Sequence, residues 1–289
     1  HYSILSMKKI FLMAIAMVAA VAVNAEDGAK KVGIRWGVEA GYDNITAASA
    51  IHTPLADIAK QPGEFGIATA QTYSLNGFHI GPTLTLDLHP HIGMNFGLFY
   101  QFGTAINTAA SVSEYSVRYS TVTLSEQKNY TVSHALQIPV HAEFKWNLGN
   151  SGIGMFAQVG PKFDFGLQLA DKGYTSVSGT VDGKNYFAYD GRTYNYYNNK
   201  MTTYTHTWGP KDAKEKNVIE NVNDEYCKWF DLKLGAGLGF TYGNMYFSFS
   251  YYFGVINMAK LNDGSVYKSS DFTYRLHEDD LSLAVGFKF

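Results

Sequence analysis

Eight segments of the chain place bulky apolar side chains at alternate positions, with glycine, small or polar residues between them: roughly 32–45, 73–89, 91–104, 130–147, 151–168, 229–243, 245–257 and 277–289. Side chains of a strand point alternately to its two faces, so each segment is a strand with one apolar and one polar face. The last shows the pattern plainly, with Leu281, Leu283, Val285, Phe287 and Phe289 alternating with Ser282, Ala284, Gly286 and Lys288. Links between segments alternate in length. Short ones occur at His89-Pro90-His91, Asn147-Leu148-Gly149-Asn150 and Gly243-Asn244, all built from turn-favouring residues. Long ones cover roughly 46–72, 105–129, 169–228 and 258–276. An even number of strands, short turns at one end and long loops at the other specify an all-β, eight-stranded antiparallel up-and-down transmembrane β-barrel with long extracellular loops.

A soluble lipocalin-type barrel also alternates, with its apolar row inside. Side-chain volume separates the two. The apolar row reads Ile34, Trp36, Val38, Ala40, Tyr42; Phe78, Ile80, Pro82, Leu84, Leu86, Leu88; Ile92, Met94, Phe96, Leu98, Tyr100, Phe102; and Leu136, Ile138, Val140, Ala142, Phe144, Trp146. An eight-stranded barrel has an interior just wide enough for side chains to fill, and rows of this bulk do not fit it. The opposite row carries Gly33, Gly37, Gly41, Gly77, Gly81, Gly93, Gly97, Gly154, Gly160, Gly235, Gly237 and Gly239, which suits a narrow lumen. The apolar row therefore faces lipid. Trp36 and Trp146 fall near the short-turn ends of their strands, and Tyr100, Phe102, Tyr251 and Phe253 near the long-loop ends, as two aromatic belts require.

Among the lumen glycines stand Arg35, Glu39, Asp87, Glu143, Lys145, Lys162, Asp164, Asp231, Lys233 and Lys288, five acidic and five basic. Enclosed charges are costly unless paired, so this balance predicts an ion-pair network that plugs the lumen; a proton or ion path is the alternative. His79 and His141 join the same interior row.

Near the start, Met7-Lys8-Lys9, the apolar run Ile10 to Val23 and Val23-Asn24-Ala25 match a cleavable secretory signal, with cleavage after Ala25. Met7 reads as the initiator, so His1 to Ser6 are an over-called start. The apolar run is too short for a membrane-spanning helix. Residues 1–25 are thus expected as signal peptide and 26–289 as a single barrel domain, exported to the periplasm and inserted into the outer membrane of a Gram-negative cell. Without Lys8 and Lys9 the chain holds 21 basic against 25 acidic residues and no basic run, so nucleic acid is a poor partner. Cys227 is the sole cysteine, which excludes an intrachain disulfide.

Several segments resemble the PorT-like outer membrane β-barrel protein family common in Bacteroidetes, in the family's order. They are Gly77-Phe78-His79-Ile80-Gly81, Leu136-Gln137-Ile138-Pro139-Val140 leading to Phe144-Lys145-Trp146, Gly160-Pro161-Lys162-Phe163, Phe230-Asp231-Leu232 before Gly235-Ala236-Gly237, and Val285-Gly286-Phe287-Lys288-Phe289. The resemblance covers essentially the whole barrel and implies its fold and its recognition by the barrel assembly machinery through the strand ending at Phe289. Gln137 stands where that family often has glutamate. The resemblance implies no activity, since function is carried by sites and not by the barrel.

The loop 169–228 is the part least like the family. It holds Tyr174, Tyr186, Tyr189, Tyr194, Tyr196, Tyr197 and Tyr204 among Asn, Thr and Gly, a composition suited to adaptable binding surfaces. These tyrosines are candidates for contact with an extracellular ligand or protein; an ordinary variable surface loop is the plainer account. Asp182-Gly183 and Asp190-Gly191 are hairpin signals, so the loop is expected to extend strands above the membrane. Glu278-Asp279-Asp280 beside His277 is expected to be a solvated strand end, with too few oxygens in pattern for calcium. His89 and His91 lack a third ligand at fixed spacing for a metal. His206, His277 and Ser270 are available at the outer rim but form no recognisable constellation. The sequence thus points to a structural or surface-interaction protein surrounded by lipopolysaccharide, with no catalytic residues, metal or cofactor expected. The alternatives are a rim-active enzyme on lipid A or peptides, or a small gated pore.

Overall fold

The computed structural model describes residues 33–52, 72–109, 113–117, 120–149, 152–181, 184–208, 213–222, 225–261 and 273–289. The expected signal peptide, Ser270 and most of the first long loop lie outside these. The described chain forms fifteen strands, with no helix long and apolar enough to cross a membrane. They are β1 (Gly33–His52), β2 (Thr72–His89), β3 (Ile92–Gly97), β4 (Phe99–Ala109), β5 (Ser113–Val117), β6 (Ser120–Asn147), β7 (Ile153–Val181), β8 (Lys184–Asn195), β9 (Lys200–Trp208), β10 (Ala213–Glu220), β11 (Glu225–Cys227), β12 (Phe230–Tyr242), β13 (Met245–Gly254), β14 (Ala259–Leu261) and β15 (Thr273–Lys288).

Nine of them make a closed antiparallel ring of eight, in which β3 and β4 act as one strand: β1, β2, β3/β4, β6, β7, β12, β13, β15 and back to β1. The seam runs from Gly37 opposite Lys288 to His52 opposite Thr273, and Phe289 N–H donates to the Trp36 carbonyl at 2.8 Å. Closure matters because lipid offers no partner to a free strand edge. The break at Leu98 has a local cause. Pro82 on β2, opposite Leu98, and Pro139 on β6, opposite Gly97, both lack an N–H to give the ladder there, so Leu98 keeps only its own N–H bond to the Pro82 carbonyl at 3.1 Å.

The short turns fall where expected. His89 pairs with Ile92 around Pro90-His91, and Tyr242 with Met245 around Gly243-Asn244, where Gly243 takes φ 58°. The ring strands match the eight sequence segments, but β6 and β7 run to 28 and 29 residues, far beyond the expected 130–147 and 151–168. A transmembrane strand needs roughly 9–11 residues, so their upper halves stand clear of the membrane.

There β7 leaves β12 and pairs with β8, and β8, β9 and β10 follow in order as a projecting sheet with β10 at its edge. Val181 pairs with Lys184 at the closed end of the β7–β8 hairpin; Asp182-Gly183 between them lie outside the described residues. Asp190-Gly191 is no turn but lies mid-strand in β8, opposite Thr205 and Tyr204. The chain reverses instead at Tyr196–Asn199, where Asn199 takes φ 55°, a left-handed conformation that asparagine tolerates better than most residues.

Candidate functional site: the lumen and its outer mouth

The outward row of the ring is the apolar one. Trp36, Ile80, Leu238, Phe249 and Phe287 are each about half exposed on the barrel exterior, as a lipid-facing belt requires. Trp36 and Trp146 lie on that exterior toward the short turns, and Tyr100, Tyr251 and Phe253 toward the long loops. Inward, glycine makes room for large polar groups. A Cβ at Gly41 would run into the His79 ring.

The lumen charges form a stack of linked groups. At the inner mouth Arg35 clamps Asp87 through Nε at 2.7 Å and Nη2 at 3.0 Å, and Lys145 also bonds Asp87. Lys145 reaches Glu143 at 3.3 Å, and Glu143 meets Lys288 at 3.4 Å. Next, Tyr246 donates to Glu39 at 2.6 Å, and His79 bridges Glu39 at 3.2 Å and Asp43 at 2.9 Å. Gln101 donates to Asp43 at 3.1 Å, and Lys162 pairs with Asp280. Nearest the outer mouth, Lys233 lies 2.8 Å from Asp164, 2.9 Å from Glu278 and 4.0 Å from Asp231. Beside His141, Tyr252 and Gln158 is a cavity of ≈ 20 Å³, room for about one water.

All ten charged residues named from sequence enter this stack, but it is larger and less balanced than expected. Asp43, Glu278 and Asp280 also point inward, giving eight carboxylates to five lysine or arginine cations, with His79 between two of the carboxylates. This corrects the solvated strand end expected at 278–280. Glu278 and Asp280 share the inward parity of Ser282 and Lys288, and only Asp279 points out, accepting from Tyr251 at 2.7 Å. The period-two rule places these side chains; the run of three acids masks their alternation.

Above the charges the interior turns apolar. Ile45, Ala47, Leu75, Leu169 and Leu276 on the barrel wall close on Cys227 and Ala259 from the small β11–β14 sheet and on Met258 just before β14. Tyr196 and Tyr197, from the β8–β9 turn, pack against this cluster. Tyr197 packs against Gly166, where a Cβ would meet its ring and hydroxyl, and Tyr196 donates to Asp171 at 2.5 Å. Burial, then the Asp171 carboxylate, hold the Tyr196 phenol well above its ordinary pKa. Tyr194 is buried too, bonding Asn199 at 3.0 Å. These three correct the expectation that all seven loop tyrosines form an exposed surface: once the hairpin tip turns back over the barrel, phenol rings are the bulk that fills its mouth. Tyr204 is exposed, 47% accessible, on β9. The side chains of Tyr174, Tyr186 and Tyr189 lie outside the described residues.

The rings of His89 and His91 lie tilted, 5.7 Å apart, in an exposed turn, and the His206 ring lies tilted against Trp208 at 3.6 Å, on a different strand from His277. Among the described residues no group of three or more His, Cys, Asp or Glu is placed to hold a metal ion.

A model of the outer membrane protein beta-barrel domain matches residues 29–260, most of the chain. The chain belongs to that family. A comparison with curated proteins finds no match. Solved barrels with similarity include OprG of Pseudomonas aeruginosa, 10% identical over 90% of this chain and 98% of that one at TM-score 0.38. Neisserial surface protein A is 13% identical over 89% and 99% at TM-score 0.27. Ail of Yersinia pestis, solved with a heparin analogue, is 12% identical over 87% and 99% at TM-score 0.22. The fold assignment rests on the closed ring of strands and the family match, not on these likenesses.

Proposed function

We propose that this outer membrane β-barrel is closed to solutes and acts at the cell surface, through the sheet that β7, β8, β9 and β10 raise above the membrane. The observation that carries this reading is the outer mouth. The β8–β9 turn folds back to seat Tyr196 and Tyr197 over the lumen, while the rest of the same segment stands outside it. A pore would want that mouth clear. The ion pairs Lys162–Asp280 and Lys288–Glu143 beneath it reach across the lumen from non-neighbouring strands and leave little space there. A rim-active enzyme is less favoured, because the rim histidines stand on separate strands and His206 is engaged by Trp208.

In this reading the strand ending at Phe289 is the assembly signal, and the PorT-like resemblance concerns the barrel alone. Removal of residues 184–222, with crosslinking capture on intact cells, tests it. Captured extracellular ligand or protein should be lost while heat-dependent gel mobility still reports a folded barrel. Capture unchanged by the deletion, or steady conductance of the intact protein in planar bilayers, overturns the proposal.

A further inference from the structure

The two faces of the projecting sheet differ. Strand register carries the wall's orientation outward: Lys172 on β7 pairs with Thr193, Thr193 with Thr202 and Thr202 with Val218, so these residues share one face. On β7 that face is the lipid side, because Leu169 and Asp171 on the other face pack into the barrel mouth. Alternation then places Phe187 on β8, Lys200, Tyr204, His206 and Trp208 on β9, and Lys214, Lys216 and Glu220 on β10 all on the outward face.

The outward face thus carries four lysines against one carboxylate. The inward face has Asp171, Asp190 and Glu215 against Lys184 and Arg192. The exposed aromatics follow the positive side. Phe187 packs on Trp208 at 4.9 Å, and Lys216 Nζ lies 5.6 Å from the Tyr204 ring centre. On β9, Tyr204, His206 and Trp208 stand at alternate positions, about 6.6–6.8 Å apart along the backbone, with the His206 ring leaning to 3.6 Å from that of Trp208. Gly191 leaves no side chain on the outward face beside Tyr204. A row of aromatic faces edged by lysines is complementary to a sugar chain bearing phosphates or carboxylates: the apolar faces of pyranose rings lie on the aromatics while the anions meet the ammonium groups.

Resting on the surface-interaction reading, we infer that this outward face binds the anionic sugar headgroup of the glycolipid surrounding the barrel. Two features choose that occupant over a soluble one. The face continues the lipid-facing wall, and β7 rises out of the bilayer directly beneath it, so the acidic saccharide layer of the outer leaflet is what the face meets first. Binding there holds the sheet against the membrane surface and leaves its inward face over the capped mouth.

The test titrates deacylated lipopolysaccharide, the phosphorylated headgroup freed of its acyl chains, into the full chain folded in neutral detergent, followed by calorimetry. The expected result is binding that falls about tenfold or more, 1.4 kcal/mol per decade, in Lys214→Glu with Lys216→Glu and in Tyr204→Ala with Trp208→Ala. Trp208→Phe retains most of it, and enzymatic dephosphorylation of the headgroup weakens it comparably. Gel mobility checks that each variant is folded, which the exposed positions favour. Equal binding by wild type and both double variants overturns the inference, as does tighter binding of soluble heparin than of the headgroup, or no binding at all. If the headgroup is ignored while removal of 184–222 still abolishes capture on cells, this inference falls and the surface-interaction reading stands.

Discussion

The lower and upper parts of β1 belong to one strand and obey opposite rules. From Gly33 to Asp43 its inward side chains are glycine or charged and its outward ones are Ile34, Trp36, Val38, Ala40 and Tyr42; two and four residues later, Ile45 and Ala47 point inward and are fully buried. The switch marks where the outer solvent changes. Beside lipid, apolar side chains gain nothing by turning inward, so the lumen is left to polar groups that satisfy one another. Where water lies outside, the hydrophobic effect returns and builds an ordinary core across the barrel mouth. One molecule is thus held by electrostatics at its waist and by apolar packing at its lid.

The largest effect should come from the waist. Lys233 is fully buried and serves Asp164 and Glu278 directly, with Asp231 at the limit of contact. Lys233→Met leaves three inward carboxylates without their shared cation, and removing one partner of a buried ion pair costs about 3–5 kcal/mol. The urea midpoint of unfolding from lipid vesicles should fall accordingly. An unchanged midpoint would mean that solvent, not the lysine, balances those charges.

The lid should respond next. Leu75→Ala removes a side chain that is 1% exposed within the apolar cluster and should cost about 2–5 kcal/mol. Leu238→Ala, on the lipid face, should cost less because lipid refills the space and no cavity remains. Equal losses would erase the distinction between the two regions. Under the proposed closure, Leu75→Ala should also admit transient current in planar bilayers and the parent should not.

The waist was legible in the sequence because both faces of each strand carry a strong signal there. Arg35, Asp87, Glu143, Lys145, Lys162 and Lys233 fall inward by counting twos from the apolar row. Above the membrane the outward face is wet, so in Ser120–Gln127 of β6 only Val122 and Leu124 alternate with polar residues, a run too short to mark the strand, although its Thr and Val suit one. The extended strands were lost to pattern for that reason. Tyr196 and Tyr197 were misplaced for another: burial at a lid depends on which way a hairpin tip folds, and Tyr194, Tyr196, Tyr197 and Tyr204 share one composition but two environments. The aromatic row on β9 is visible as Tyr204, His206 and Trp208 alternating with threonine, yet it gains its basic edge only once β10 pairs beside it.

The smallest effect belongs to the projecting sheet, where Lys200 and Glu220 pair at 2.5 Å in open solvent, with side chains 44% and 63% exposed. The hydrogen bond from Lys200 holds the Glu220 carboxyl below its ordinary pKa. A depressed carboxylate adds stability that is present above its unfolded pKa and disappears as pH falls through the folded one. Glu220→Gln should therefore leave the barrel's urea midpoint untouched at every pH, since exposed pairs are worth little and this one lies outside the ring. Its trace should be local: faster amide exchange at the β9–β10 rungs near Lys200 at neutral pH, an excess that vanishes in acid and shrinks in high salt as the pair is screened. A shift of the whole-barrel midpoint would show that the sheet and the ring unfold as one unit, and the division between waist, lid and projecting sheet would then be structural but not energetic.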